Sequence, residues 1–248
     1  MSNDNAVSFH EKVSLNFQKN YTKDHFNERL VLFVRLVEKY VYQNSTVIDL
    51  GCGPGVISIG LSPKVNKIIG IDGSANMIAL AEEMKKNSKI QNCDFIEGNI
   101  PEVLDLIDMK IDCIISSSVL EYLTDLPKTL KKINDKLKPG GIFIVSMPNP
   151  ISIFRRFEKF IFKFLQKPAY LNYSINHLRP PDFQNILEDN NFEVIEIDYF
   201  AKKGFIFKIL DKILPVCYTN NMFVCVCKTV SGSEKLEERS GKKVVRLR

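Results

Sequence analysis

The sequence lacks the features that would place a protein in or across a membrane. No stretch of its 248 residues approaches the roughly 20 consecutive apolar residues that a membrane-spanning helix needs. The N-terminus is polar and mixed in charge, unlike a secretory signal peptide. These absences predict a cytoplasmic protein.

Cysteine and histidine are scarce, with six and three residues respectively. Most of the cysteines fall within apolar runs, so we expect reduced thiols in the core and no disulfide framework. Cys225 and Cys227 are not accompanied by a second cysteine pair or by a histidine cluster. We therefore expect no metal site.

The composition is that of an ordinary globular domain, with 45% hydrophobic and 25% charged residues. The length favours one large domain over two small ones. The formal net charge is +5, and part of it lies in residues 231–248, which we expect to be a disordered basic tail. A charge of this size does not by itself indicate nucleic acid as a partner, and we expect none.

The order of apolar patterns along the chain predicts an α/β fold. Residues 1–43 are predicted to form an N-terminal helical cap, with the helical pattern over residues 7–43. Five strands then alternate with helices, which predicts parallel βαβ units in an open twisted sheet. The last two strands have no clear helix between them, so we expect an antiparallel hairpin at one sheet edge. The predicted strands are residues 46–50, 67–71, 93–97, 111–116, 142–147, 193–199 and 222–228, and the main predicted helices are residues 56–61, 74–86, 126–137 and 181–190.

A glycine-rich loop, within VIDLGCGPG (residues 47–55), follows the first predicted strand. Its third glycine comes one residue too early for the dinucleotide pattern G-x-G-x-x-G, and no Lys-Ser/Thr pair follows as in a phosphate-binding loop. Asp49, just before the loop, disfavours a bound phosphate and suits a cationic ligand such as an ammonium group. Asp72, at the end of the second strand, is placed to accept both hydroxyls of a ribose.

Together with later segments, this loop resembles the signature segments of class I S-adenosylmethionine-dependent methyltransferases. The matching segments are VIDLGCGPG, IGIDGSANMIALAEE, IDCIISSSVLEYLTD and LKPGGIFIVSMPNP, in family order and spacing over about residues 45–150. The resemblance implies a Rossmann-like seven-stranded, mostly parallel sheet with strand order 3-2-1-4-5-7-6 and helices on both faces. It assigns residues 44–230 to the methyltransferase domain and S-adenosyl-L-methionine as its cofactor.

The resemblance also implies roles for individual residues. Asp49 would hold the amino group of the cofactor's methionine part, and Asp72 would hold the ribose hydroxyls. Asn99 stands where the family often has an Asp facing the adenine. Tyr21 matches an aromatic residue that closes over the cofactor in many relatives. The implied cofactor-binding residues are Tyr21, Asp49, Gly51, Gly53, Gly55, Asp72, Gly73, Met77, Asn99, Ile100, Ser116 and Ser117.

Several segments resemble ubiquinone-type small-molecule O-methyltransferases, including SSSVLEYL after the fourth strand. His177, in NYSINHLRPPDF, matches the place of a substrate-facing histidine and is the best candidate for a general base. Glu121 and Tyr122 complete the predicted catalytic set. The sequence departs from that group at Tyr122, where His is common, and at Ser118, where a further Glu is common. A metal site built from several carboxylates is therefore not expected.

An insertion at residues 151–178 is predicted to form a helical lid. Within residues 151–167, aromatic and aliphatic side chains form a broad stripe beside several cations. Such a segment either packs over the active site or makes a peripheral contact with a membrane or a lipid-like substrate. Either arrangement predicts an apolar cover over the site, and therefore an apolar or aromatic acceptor.

The sequence thus predicts an S-adenosylmethionine-dependent methyltransferase that acts on a hydroxyl oxygen of a small molecule. N-methylation of an amino sugar or a small amine, which needs less help from a base, stays open. A non-catalytic adenosylmethionine-binding or membrane-surface module is the third alternative. A nucleic-acid methyltransferase is disfavoured, because SSSV stands where the Asn/Asp-Pro-Pro-aromatic signature of amino-group methylases is expected.

Overall fold

The computed structural model describes residues 7–8, 11, 24–202 and 212–230. Tyr21 and the predicted tail at residues 231–248 lie outside the described residues. Of the predicted N-terminal cap, the described part contains helix α1, Asp24–Tyr40. The division of the chain into cap, domain, lid and tail stays a prediction.

A single seven-stranded sheet forms the centre of the molecule. The strand order is β3-β2-β1-β4-β5-β7-β6, which confirms the predicted topology. The first five strands pair in parallel, and β7 pairs antiparallel with both β5 and β6. The strands are β1 Thr46–Leu50, β2 Lys67–Asp72, β3 Cys93–Glu97, β4 Ile111–Ser117, β5 Leu137–Pro148, β6 Phe192–Phe200 and β7 Met222–Thr229.

Helices follow the strands as the alternating pattern predicts. Ser74 caps the helix Ala75–Asn87 (α3) by accepting a hydrogen bond from the backbone N–H of Met77 (3.2 Å), which confirms the predicted start of that helix. After α1, the helices are α2 Val56–Leu61, α3 Ala75–Asn87, α4 Leu126–Lys136, α5 Ile153–Leu165, α6 Pro180–Asp189 and α7 Val216–Thr219.

The core lies on both faces of the sheet, because successive residues of a strand point to opposite faces. Ile48 and Leu50 of β1 belong to one buried cluster together with residues of α4 and α6. Val47, directly before Ile48, belongs to a second cluster that includes Phe33 and Leu36 of α1. Two apolar layers around one sheet explain why β1 is buried along its whole length.

The segment around Lys138-Pro139-Gly140-Gly141 differs from the prediction. The helix before it ends at Lys136, and β5 already begins at Leu137 rather than at residue 142. Leu137 pairs with Ile111 of β4, and a register shift separates this pair from the regular ladder beyond it. Gly140, at φ 73°, accommodates the irregularity, so the glycines predicted to be a stop signal lie inside an irregular strand.

Within the described part of the chain, no helix is long and apolar enough to cross a membrane.

Candidate active site

The glycine loop joins the carboxyl end of β1 to helix α2. Gly51, Gly53 and Gly55 have φ values of 73°, 53° and 78°, in the left-handed region that favours glycine. The carbonyl of Ile71 accepts hydrogen bonds from the backbone N–H groups of Gly51 (2.7 Å) and Cys52 (2.9 Å). The loop is thereby fastened to the end of β2, the strand that carries Asp72.

Asp72 is held at the rim of this loop by backbone donors. One carboxylate oxygen accepts the N–H of Gly53 and the other accepts the N–H of Ser74, both at 2.9 Å. Burial raises the pKa of Asp72 above its ordinary value, while these two hydrogen bonds oppose the rise. The side chain is fixed in one orientation, and each oxygen still has a lone pair for a further donor.

Asp49 lies beneath the loop and is only 1% exposed. The hydroxyl of Ser58, on α2, donates to its carboxylate at 2.6 Å. Burial raises the pKa of Asp49 to about 7, and the negative charge of Asp72 adds to the rise. A cation brought next to Asp49 would therefore restore the charged form of a carboxyl that burial disfavours.

The remaining predicted cofactor residues lie around the same strand ends. A Cβ built on Gly73 would lie 3.4 Å from Oδ1 of Asn99, so these two positions adjoin. Met77 and Ile100 are buried, at 2% and 8% exposure. Asn99 itself is exposed.

Ser116 and Ser117 end strand β4, next to β1, the strand that precedes the glycine loop. The hydroxyl of Ser116 donates to the carbonyl of Leu50 at 3.3 Å, and the hydroxyls of Ser117 and Ser146 are 3.4 Å apart. Both side chains are buried, so contact with a ligand would involve their backbone rather than their hydroxyls. Ser118, at φ 60°, turns the chain away from the sheet.

Glu121 and Tyr122 lie in a short 3-10 helix, Leu120–Tyr122, just after β4. Glu121 is 3% exposed, and within the described residues its Oε2 has no hydrogen-bond partner. Burial raises the pKa of Glu121 to about 7, opposed by the positive charges of Arg29 and Arg155. Burial also raises the pKa of Tyr122 far above its ordinary value, so its phenol stays protonated.

The segment that carries His177 is docked onto this 3-10 helix. The carbonyl of Glu121 accepts the N–H groups of Ile175 (2.8 Å) and Asn176 (3.0 Å). The side-chain amide of Asn176 donates to the carbonyls of Leu120 and Leu123, both at 2.7 Å. The structure therefore brings Asn176, the neighbour of His177, against Glu121, although the two are far apart in sequence. Asn176 holds the two segments together, and sequence reasoning missed this role.

His177 lines a small cleft beside the carboxyl end of β5 and remains accessible to solvent. Partial desolvation lowers its pKa, and the positive charges of Lys159 and Arg155 lower it further. The imidazole is therefore neutral at neutral pH, the form that can accept a proton. The cleft is lined by Pro148, Asn149, Pro150, Arg155, Glu158, Lys159, Tyr170, Leu171, Ser174 and His177.

An Arg–Glu–Tyr group on the inner side of α5 forms one wall of the cleft. Arg155 donates to Glu158 at 2.8 Å, the hydroxyl of Tyr170 donates to the same carboxylate at 2.6 Å, and Arg155 also contacts that hydroxyl. Arg155 and Glu158 are largely covered, with side-chain exposures of 16% and 11%. No local sequence pattern signals this group, because its partners pack through folding of the whole lid.

The lid therefore differs from the sequence expectation of an apolar cover. Its inner side presents charged and polar groups to the cleft. Its aromatic stripe faces solvent instead, with Phe157 and Phe160 each 59% exposed and no residue of α5 fully buried. Among the described residues, no group of three or more His, Cys, Asp or Glu side chains is arranged to hold a metal ion.

Comparison with known proteins finds similarity to methyltransferases. A family model described as a methyltransferase domain matches residues 42–191. The release factor glutamine methyltransferase of Fusobacterium nucleatum is 30% identical over 176 residues, which cover 68% of this chain and 46% of that protein. The ribosomal protein L11 methyltransferase of Clostridium botulinum is 32% identical over 121 residues, covering 48% of this chain and 37% of that protein. The chain thus spans less than half the length of these curated relatives.

Solved structures share the fold at low sequence identity. The magnesium protoporphyrin IX methyltransferase of Synechocystis PCC 6803, with bound SAH, superposes with a TM-score of 0.68 at 16% identity, covering 90% of this chain and 98% of that one. A SAM-dependent methyltransferase from Archaeoglobus fulgidus gives a TM-score of 0.66 at 18% identity, covering 87% of this chain and 99% of that one. At these sequence identities the likeness shows a shared fold and nothing more.

Proposed function

The chain belongs to the methyltransferase domain family, and we propose that it transfers a methyl group from S-adenosylmethionine to a hydroxyl oxygen of a small molecule. The observation that carries the cofactor half of the proposal is the carboxylate of Asp72, fixed by Gly53 and Ser74 at the rim of the glycine loop. The alternative of a non-catalytic module has less support, because the matching family model is described as a methyltransferase domain.

The residues around the loop fit S-adenosylmethionine by their chemistry. When bound, this cofactor supplies a methyl group on a sulfonium centre, which is electrophilic without further activation. Asp72 would accept the ribose hydroxyls with its remaining lone pairs, and Asn99 lies beside it for the adenine. Asp49 would interact with the ammonium group of the methionine part, directly or through water. Tyr21 keeps its predicted role as a cover for the cofactor.

The acceptor site is proposed to be the cleft beside β5. Ligands of parallel α/β sheets bind beyond the carboxyl ends of the strands, and both the glycine loop and the cleft adjoin such ends. Neutral His177 would take the proton of the acceptor hydroxyl as the oxygen attacks the methyl group. The apolar or aromatic character of the acceptor stays a prediction, and the positive charges of Lys159 and Arg155 favour an acceptor that also carries a negatively charged substituent.

A second candidate function follows from Glu121. Its buried Oε2, without a partner among the described residues, would suit a protonated amine, from which the carboxylate could take the proton before the neutral nitrogen attacks the methyl group. This favours N-methylation of a small amine or amino sugar as the alternative. The named relatives act on a release factor and a ribosomal protein, so a protein acceptor is a further outcome that the assay must distinguish.

The cofactor half of the proposal is tested by calorimetry with S-adenosylhomocysteine (SAH). We expect binding to the unmodified protein and a loss of at least about tenfold in affinity for Asp72→Ala, since a charged hydrogen-bond partner is removed. Asp94→Ala is the matched control, because Asp94 is an exposed carboxylate on the neighbouring strand β3, paired with Lys67. Equal affinity for Asp72→Ala and Asp94→Ala would contradict the assignment.

The acceptor half is tested by transfer of a radiolabelled methyl group from S-adenosylmethionine. Three acceptor sets are compared: phenolic carboxylic acids, small amines including amino sugars, and a protein extract. Label in the phenolic acids supports the proposal. Label confined to amines supports the alternative that rests on Glu121, and label confined to protein contradicts both.

A further inference from the structure

Helix α5 carries an aromatic face that the described part of the molecule does not cover. Ile153, Phe157, Phe160 and Phe164 are 39%, 59%, 59% and 72% exposed. At 100° per residue, these four positions fall within roughly 60° of one another around the helix. Phe160 and Phe164 also contact each other edge to face, with ring centroids 5.3 Å apart. The exposed residues therefore form one continuous apolar ridge.

Cations flank this ridge, and acidic groups are withdrawn from it. Arg156 and Lys163 are exposed on one side of the ridge, and Lys167 is exposed just beyond the helix. Glu158 is the only acidic residue of α5, and Arg155 and Tyr170 hold it on the inner side of the helix. Within the described residues, no ion pair engages any of these three cations. The exposed face thus combines apolar area with unopposed positive charge.

The neighbouring segment extends the same surface. Helix α7 contacts α5, and its residues Val216 and Tyr218 are 49% and 42% exposed. Ile213, just before α7, is 77% exposed, and Lys212 beside it is also exposed. An apolar surface of this extent with a basic border is unusual for a face turned permanently to water.

We propose that this face, formed by α5 and residues 212–218, docks onto the surface of an anionic phospholipid bilayer. The phenyl rings would enter the boundary between headgroups and acyl chains, while Arg156, Lys163 and Lys167 contact lipid phosphates. Charge complementarity selects this occupant: a second copy of the chain would bring the same cations face to face. Docking would also place the acceptor cleft, whose wall is the inner side of α5, next to the bilayer.

Docking is tested by sedimentation of the full chain with vesicles of phosphatidylcholine alone or mixed with phosphatidylglycerol. We expect binding to the mixed vesicles that weakens as salt is raised. Phe157→Ser/Phe160→Ser/Phe164→Ser should reduce partitioning at least about tenfold, because three apolar contacts with the bilayer are lost. Leu106→Ser is the matched control, since Leu106 is 82% exposed away from α5 and should leave partitioning unchanged.

The charged border is tested separately. Each basic residue near an anionic surface contributes about fivefold to partitioning, so Arg156→Glu/Lys163→Glu should weaken binding about 25-fold or more. Lys86→Glu/Lys89→Glu, at the exposed end of α3 beside β2 and β3, makes the same change of net charge and is the control. Equal losses in the α5 and α3 variants, or equal binding to both kinds of vesicle, would overturn the proposal.

The absence of tryptophan from the sequence allows a direct report on depth. A single indole introduced as Phe160→Trp should shift its emission to the blue on mixed vesicles and be quenched by brominated lipid. Tyr42→Trp, at a position 83% exposed and outside α5, should do neither. Calorimetry with SAH checks that each variant is folded. A self-association that the serine variants abolish, without any response to vesicles, would assign the face to a second copy instead and overturn membrane docking.

Discussion

Two buried carboxyls, Asp49 and Glu121, stand at the two halves of the site, one under the glycine loop and one beside the acceptor cleft. Burial raises the pKa of each to about 7. A raised carboxyl pKa reflects the free energy needed to keep the charged form out of water. A cationic ligand beside the carboxylate reduces that free energy. Both residues are therefore suited to respond to a positively charged group.

The response of Asp49 gives a prediction for cofactor binding. The affinity for SAH should fall as the pH is lowered through about 7, because protonation of Asp49 removes the partner of the ligand's ammonium group. We expect a loss of roughly tenfold between pH 8 and pH 6 by calorimetry. Asp49→Asn keeps an acceptor for Ser58 and should bind more weakly with a flatter pH profile. An unchanged pH profile in Asp49→Asn would show that another group is responsible.

His177 gives the second prediction at this scale. Its lowered pKa means that the rate of O-methylation should rise with pH and level off at a lower pH than it would with an ordinary imidazole. His177→Gln should reduce kcat by about 100-fold or more while the SAH affinity stays unchanged. Lys159→Met removes a positive charge that lowers the imidazole pKa, so it should move the midpoint of the rate profile to higher pH. A His177→Gln variant with the full rate would exclude the imidazole as the base.

At the scale of elements, the glycine loop and the irregular first part of β5 use the same backbone conformation for different purposes. Gly51 and Gly140 both have φ of 73°. A Cβ on Gly51 would lie 2.1 Å from Cγ2 of Val119, whereas a Cβ on Gly140 would meet only the flexible end of Lys228, at 3.3 Å. The first position is constrained by conformation and packing, and the second mainly by conformation.

Alanine substitutions at Gly140 and Gly51 separate the effect of backbone strain on stability from the effect of packing. Gly140→Ala should lower the free energy of unfolding by about 1–2 kcal/mol, the cost of a left-handed non-glycine residue, and leave SAH binding unchanged. Gly51→Ala should cost more, because Val119 must also move, and it should weaken SAH binding by displacing the loop. Urea unfolding and calorimetry measure the two effects. Equal losses of stability in both variants would mean that the contact with Val119 does not constrain the loop.

Most strands were predictable because their local patterns are strong. The predicted bounds of β1 and β3 coincide with those observed, since each is a short apolar run between turn-forming residues. The start of β5 was not predictable, because Leu137 belongs to the strand only through its pairing with Ile111. Likewise, the glycine loop has a local signature, whereas the contacts of Asn176 with Leu120 join residues 56 positions apart.

The lid shows the same limit for a whole element. Its helical periodicity could be read from the sequence, but the direction of each face could not. By its place in the sequence Arg155 is one of the several cations of residues 151–167, yet Glu158 and Tyr170 contact it on the inner side. The aromatic stripe, predicted to cover the site, is exposed because those polar contacts turn the opposite face of α5 inward. Helical periodicity predicts that a helix has two different faces, but it does not predict which face packs inward. Tertiary contacts decide that orientation.

For the whole molecule, buried and surface carboxyls act on stability in opposite pH ranges. Asp49 and Glu121 have raised pKa values, so their stabilising contribution is complete at low pH and is lost as the pH rises through about 7. Asp112 and Glu196 have lowered pKa values, mainly through Lys138 and Lys39 respectively, despite opposing desolvation. Their contribution is present at neutral pH and is lost as the pH falls below the ordinary range of a carboxyl.

The ligand-free protein should therefore be most stable in mildly acidic solution, at about pH 5, and should lose stability as the pH rises from there to about 7. Each buried carboxyl can contribute up to about 1.4 kcal/mol per pH unit between its unfolded and folded pKa values. Asp49→Asn/Glu121→Gln should flatten this decline and raise the melting temperature at pH 8, measured by calorimetric unfolding. The exposed Asp108→Asn is the control for loss of charge and should follow the unmodified protein. The asparagine and glutamine side chains of the double variant cannot ionise. A decline of stability that persists in this variant would therefore show that other groups cause it.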